Sequence, residues 1–194
     1  VPGRRPDYYD LDRAIFPETR YDDLIGSYHH LHIAYSKDHD IRYSSSSGGV
    51  VTEILLYMLE ERMIDGAIVV GSVDGISYQT KPYIARTRPE VLAAAGSKYA
   101  PSSPNVELSS VLREGGKYAV VGLPCQILGL RKAERVIEGL SERIALRIGL
   151  FCGYSKSRNA TLYNLRRFDI NPNQIVSLSY RGYGWPGFTR IVLR

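Results

Sequence analysis

The chain has 194 residues, 44% of them hydrophobic and 23% charged, with a net charge of +5. This composition excludes a disordered polymer and leaves room for a domain with its own core, while no apolar run approaches the ~18 residues needed to span a bilayer. Two cysteines are too few for a secreted disulfide framework, and the start of the chain is no signal peptide, so a cytoplasmic protein is expected.

In chain order, residues 1–24 read as an irregular N-terminal segment broken by Pro2, Pro6 and Pro17, and residues 25–194 as an α/β domain. Residues 31–35 read as a short strand, with His30 and His32 on one face and no Cys or carboxylate nearby to complete a metal set. Residues 44–49 form a small-residue loop. Val51, Ile54, Leu55, Met58 and Leu59 then repeat at helical spacing, which predicts a helix over 50–61. The run 67–71 suits a strand buried on both faces, and 77–85 is extended. Thr87-Arg88-Pro89-Glu90 has the pattern of a capping box and opens a short helix closed by Gly96. Asn105 is positioned to cap a helix carrying Leu108, Val111 and Leu112. Buried strands follow at 118–122 and 144–151, with helices at 127–132 and 157–168. Residues 175–181 and 188–193 flank a glycine-rich turn as a hairpin. Strands alternating with helices predict an α/β fold: a mixed, partly parallel sheet flanked by helices, with an antiparallel hairpin near the C-terminus. The absence of Met at position 1 and a last strand running up to Arg194 read as part of a longer, C-terminally truncated protein.

Several segments fall where strands end or helices begin, the places where open α/β sheets bind ligands. Ser44-Ser45-Ser46-Ser47-Gly48-Gly49 precedes a helix, and serine hydroxyls with free amides suit phosphate; the plainer reading is an N-cap and loop. The Gly-Lys-Ser/Thr ending of a P-loop is missing. In Gly96-Ser97-Lys98-Tyr99, Lys98 offers a charge for phosphate and Tyr99 a face for a ring, against the plainer reading of a helix end and polar loop. Gly122-Leu123-Pro124-Cys125-Gln126 and Phe151-Cys152-Gly153 each put a cysteine at a strand end, as nucleophile, metal ligand or small buried hydrophobe. An iron–sulfur cluster normally needs four protein ligands, which two cysteines cannot supply. Arg181-Gly182-Tyr183-Gly184-Trp185-Pro186-Gly187 is either a hairpin loop or a loop presenting Arg181 and Trp185 to a cofactor. The basic balance suits an anionic ligand, such as a dinucleotide or a polyglutamate tail. The scattered cations and the lack of an RNA-binding aromatic signature speak against nucleic acid.

The order of these segments resembles the coenzyme F420 hydrogenase/dehydrogenase beta-subunit family. The likeness runs from Ile25-Gly26-Ser27-Tyr28 through Ser47-Gly48-Gly49-Val50-Val51-Thr52, Ile64-Asp65-Gly66, Ser97-Lys98-Tyr99, the Pro-Cys-Gln and Phe-Cys segments, and the glycine-rich loop. The resemblance implies FAD bound in an α/β domain beside a 4Fe-4S cluster, with electrons passing between clusters, FAD and a hydride acceptor. That acceptor is the deazaflavin coenzyme F420 in several members and a chlorophyll-type ring in others. It implies that Ser46, Ser47, Gly48, Gly49 and Thr52 line the flavin or its phosphates, and that Ser97, Lys98 and Tyr99 face the same ligand. Gly122, Pro124, Gln126 and Arg181 would lie beside it, and Cys125 and Cys152 would be two cluster ligands. Family members usually carry a further Cys-x-x-Cys segment and upstream ferredoxin-like cysteines, neither of which is here. The resemblance therefore implies partners: other redox subunits or domains that carry clusters. No protein acid or base is required, so no catalytic residue is named. The expected function is a flavin-dependent oxidoreductase domain. The alternatives are a non-catalytic scaffold docking in a redox complex, and a thiol enzyme using Cys125, which has no histidine near it in sequence.

Overall fold

The computed structural model describes residues 14–17 and 19–194; Pro2, Pro6 and the rest of the irregular segment expected before residue 14 lie outside them. The described residues fall into two units, one ending at Ala34 and one running Tyr35–Arg194.

In the first unit, strand β1 (Arg20–Asp22) pairs antiparallel with β2 (Gly26–Tyr28). The Asp22 carboxylate accepts from the amides of Leu24 (2.8 Å) and Ile25 (3.2 Å), closing the turn locally. This hairpin stands where the prolines read as irregular chain. The strand expected at 31–35 is absent: these residues pair with no other strand, and Leu31 and Ile33 are exposed. Alternation alone does not make a strand when no partner edge takes up its amides.

The second unit opens with helix α1 (His39–Ser44), where the sequence reading assigned no helix and placed only Ser44 in the following loop. Asp38 makes it, accepting from the amides of Asp40 (2.9 Å) and Ile41 (3.1 Å). Helix α2 (Val50–Glu60) follows as expected. Strands β3 (Gly66–Val73) and β4 (Ile76–Ala85) form an antiparallel pair around Asp74-Gly75. Helix α3 (Arg88–Ala93) starts at Thr87. The Glu90 carboxylate accepts from the amides of Arg86 (2.8 Å) and Thr87 (3.0 Å), and these bonds hold its carboxyl below the usual range.

Asn105 does not cap the next helix. A 3-10 turn, Pro104–Glu107, leads into α4 (Leu108–Glu114), and the Asn105 amide instead donates to the Gln126 carbonyl (2.9 Å). Strand β5 (Tyr118–Gly122) runs into α5 (Pro124–Ala133), which begins three residues before the predicted start because Pro124 fits a first helical turn. Then come α6 (Leu140–Arg143), β6 (Ile144–Gly149), α7 (Arg158–Arg167), β7 (Ile175–Ser179) and β8 (Arg190–Leu193).

The sheet order is β6-β5-β3-β4-β7-β8. Pairs β6-β5, β5-β3 and β4-β7 are parallel; β3-β4 and the C-terminal β7-β8 are antiparallel. The predicted mixed α/β fold is the observed one. Alternate residues of one strand feed opposite faces. Ala67, Val69 and Ala119 meet α1, α2 and α3 through Ile41, Leu55, Leu56 and Val91. Ile68, Tyr118 and Val120 meet α4, α5 and α6 through Val111, Leu130 and Leu140. A third cluster joins Leu165 of α7 to Tyr78, Ile175 and Leu178. Each fully buried Ile or Leu contributes about 1.5–3 kcal/mol, so helices on both faces fix where the strands end. No helix among the described residues is long and apolar enough to cross a membrane.

Candidate functional site

The serine–glycine run is shaped by groups that the sequence does not mark. Buried Ser36 donates its amide to Gly48 O (2.7 Å) and its hydroxyl to Glu53 Oε2 (2.6 Å), seventeen residues away. Ser45 Oγ donates to Ile41 O (2.6 Å). Gly49 turns into α2 with φ +77°, where a Cβ would lie 3.1 Å from Ile41 Cγ2 and 3.2 Å from Ser45 Oγ. Both the conformation and the space favour glycine. Thr52 is buried one turn into α2, and Ser47 is exposed. Ser46 reaches across the chain: its Oγ accepts from Ser97 N (2.9 Å) and from Ser97 Oγ (2.8 Å).

Residues 95–105 connect the remaining predicted segments. The Lys98 ammonium donates to the carbonyls of Ala94, Ala95 (2.8 Å) and Gly96 (3.2 Å), so it closes the end of α3. Burial pushes this ammonium down to about 8. Tyr99 lies against Tyr180, ring centroids 4.9 Å apart, and the Tyr180 hydroxyl meets that of Thr161. Burial pushes the Tyr180 phenol up. Pro101 O accepts from Thr80 Oγ1 (3.4 Å), and Ser102 O from Gln126 Nε2 (2.5 Å). Gln126 Oε1 also accepts from Leu123 N (2.8 Å), capping α5 beside Cys125. Asn105 Oδ1 is buried without a hydrogen-bond partner.

Two clefts flank this segment. The first, about 230 Å³, is lined by Tyr43, Ser44, Ala95, Gly96, Ser97, Ser179, Arg181, Gly182 and Tyr183. It exists because the glycine-rich loop folds onto α1: Gly184 N donates to Tyr43 O (3.1 Å), and the Tyr43 and Tyr183 rings meet edge-on at 6.0 Å. Arg181 Nε donates to Pro186 O (3.3 Å), and its guanidinium has no carboxylate partner among the described residues. The second cleft, about 280 Å³, is lined by Tyr78, Gln79, Thr80, Ala100, Pro101 and Arg158. The loop that closes the first cleft depends on Gly187, at φ +77°, where a Cβ would stand 2.8 Å from Gly182 N and 2.9 Å from Gly182 O. Gly187→Ala is expected to cost about 2–4 kcal/mol, combining a left-handed backbone penalty with overpacking, as a lower urea midpoint would register. An unchanged midpoint would mean the loop is not closed as described.

The cysteines sit on neighbouring strand exits. Parallel β5 and β6 place Gly122 opposite Gly149, and Leu150 N donates to Gly122 O (2.9 Å). Cys125 and Cys152 each lie three residues beyond this glycine pair. Cys125 is the second residue of α5, directly after Pro124; both thiols are free and exposed. Neither lines either cleft; of the other expected site residues only Ser97 and Arg181 do, both in the first cleft. Among the described residues no group of three or more His, Cys, Asp or Glu could hold a metal ion. Two thiols fit half of a four-thiolate set, not a complete one.

Two models of one family match the chain. The N-terminal model of the coenzyme F420 hydrogenase/dehydrogenase beta subunit covers residues 31–110, and the C-terminal model covers 115–194. The coenzyme F420 hydrogenase subunit beta of Methanothermobacter thermautotrophicus is 37% identical over 135 residues, which are 66% of this chain and 47% of the relative. A coenzyme F420-dependent sulfite reductase of Methanocaldococcus jannaschii is 45% identical over 92 residues, 45% of this chain and 14% of that protein. A solved structure of the F420-reducing NiFe hydrogenase complex from Methanosarcina barkeri superposes with a TM-score of 0.67 at 28% identity, covering 82% of this chain and 58% of the matched one. The chain spans less than half the length of these two curated relatives.

Proposed function

The chain belongs to the coenzyme F420 hydrogenase/dehydrogenase beta-subunit family, a family of redox subunits, and from that premise we propose that residues 25–194 are its flavin-binding part. The reaction would pass electrons between iron–sulfur clusters, FAD and a hydride acceptor such as coenzyme F420, in a cytoplasmic complex with other redox subunits. The relatives include a hydrogenase subunit and a sulfite reductase, and F420 is the one reactant their names share.

The observation that carries this reading is the meeting of Ser97 and Arg181 in one cleft, with Ser97 held from behind by Ser46. Hydroxyls, a glycine-lined backbone and an unpaired guanidinium match a nucleotide phosphate. The cleft is small for a whole dinucleotide and suits its phosphate-bearing part. Arg181 would hold that anion, with Ser97, itself fixed by Ser46, orienting it. Tyr43 and Tyr183 would shield it from water. Bound FAD would supply both single-electron and hydride chemistry. Lys98 would act indirectly, keeping the 95–97 backbone in place. Cys125 and Cys152 would give two thiolates of a 4Fe-4S set, with the others contributed from outside this chain.

Titrating FAD into the protein purified anaerobically with its native flanks tests this. Saturable binding is expected, weakened about tenfold or more in Arg181→Gln, the loss of one charge-assisted hydrogen-bond pair. A colourless protein that takes up neither flavin nor iron would overturn it. The cysteine shortage supports a second reading, a non-catalytic docking module, for which FAD would show no saturable binding.

A further inference from the structure

The second cleft carries a cation that nothing above uses, and a second cation lies beside Tyr99, next in sequence to its lining residue Ala100. Arg158 opens α7 and lines the cleft opposite Tyr78, its guanidinium carbon 5.8 Å from that ring. Lys156, two residues earlier, holds its ammonium 5.5 Å from the Tyr99 ring and 5.7 Å from the Tyr154 ring. Neither cation has a carboxylate partner among the described residues. The reason lies in the sequence: no Asp or Glu occurs at 75–89, 91–106 or 143–168, the stretches that contribute every residue of this cleft. Aromatic faces hold these cations in place without neutralising them. A guanidinium in a concave polar cleft with no carboxylate from the stretches that line it favours an anion, and the amides at the start of α7 add to this.

We propose that the cleft between Tyr78 and Arg158 is an anion-binding subsite for closely spaced phosphate or carboxylate groups. Arg158 supplies the bidentate fork and Thr80 a hydroxyl, while Lys156, beside Tyr99, adds positive charge from outside the lining. Two ligand types share this chemistry: the pyrophosphate of a nucleotide and a short oligocarboxylate chain. The site is separate from the first cleft and does not depend on the flavin reading, because its probes contain no flavin.

The test is calorimetric titration of the full chain with inorganic pyrophosphate and, in a second arm, with triglutamate. At low salt one of the two is expected to bind, and Arg158→Gln should weaken it about tenfold or more. Lys156→Gln should weaken it less, and Arg158→Lys should restore part of the loss; thermal melts of each variant confirm that it is folded. Preference for pyrophosphate assigns the subsite to a nucleotide, and preference for triglutamate to an acidic chain. The proposal fails if neither probe binds, or if Arg158→Gln leaves both affinities unchanged while Arg181→Gln abolishes them. Failure of FAD to bind while these probes do would refute the flavin reading and leave the subsite standing.

Discussion

Replacing Cys125 or Cys152 with serine is expected to remove nearly all iron–sulfur content from the full-length subunit, while changing unfolding free energy by no more than about 0.5 kcal/mol. The two effects separate because both thiols are exposed and free. Nothing in the core rests on them, so losing either would take away a proposed ligand and not a packing partner. Their placement is fixed by backbone: the glycine pair Gly122–Gly149 ends the parallel ladder, and each thiol follows by the same number of residues. Iron and acid-labile sulfide assays on anaerobically isolated variants would check it. Wild-type iron occupancy in both variants would exclude the pair as cluster ligands.

Glu134→Ala should cost about 3–5 kcal/mol, a large fraction of the stability of a domain this size. The Glu134 side chain is 6% exposed and pairs with Arg147 (2.6 Å) and Arg131 (3.3 Å). Arg147 is itself only 14% exposed and donates a further bond to Ile144 O (2.9 Å). Removing the carboxylate strands a guanidinium between the end of α5 and strand β6, which is far costlier than losing a surface pair. These are also the elements that carry or precede the two thiols. A double variant replacing Glu134 and Arg147 with apolar residues of similar volume should recover much of the loss. Urea unfolding would measure both, and a cost under about 1 kcal/mol for Glu134→Ala would mean that water reaches the pair.

What the sequence disclosed followed from how local each signal was. The runs at 67–71 and 118–122 are continuous and apolar because helices cover both sheet faces, and they are strands; the run read as a strand over 144–151 is one over Ile144–Gly149, although Arg147 interrupts it. Helix α2 announces itself by apolar spacing. Helix α1 does not, since Ile41 is its only buried residue and Asp38, outside it, does the capping. Residues 31–35 alternate like a strand but have no partner edge. Asn105 is a capping residue by type, yet its partner lies 21 residues away.

The site divides in the same way. Strand ends and helix starts were readable, so the segments were found. Which side chains meet was not: Ser46 and Ser97 are 51 residues apart. Lys98 looks like a phosphate ligand by composition, but the nearest carbonyls belong to its own turn and claim its ammonium first. Ser36 and the Glu134–Arg147 pair carry no motif and were missed.

The stretch from Ser97 to Ser102 sets a covalent ceiling on separation. A polypeptide reaches at most ~3.6 Å per residue, so these serines cannot stand more than about 18 Å apart. One lines the first cleft, and the other accepts a hydrogen bond from Gln126, next in sequence to Cys125. The reach between the first cleft and the start of α5 is thus limited by five residues of chain for as long as the hydrogen bonds at its two ends hold.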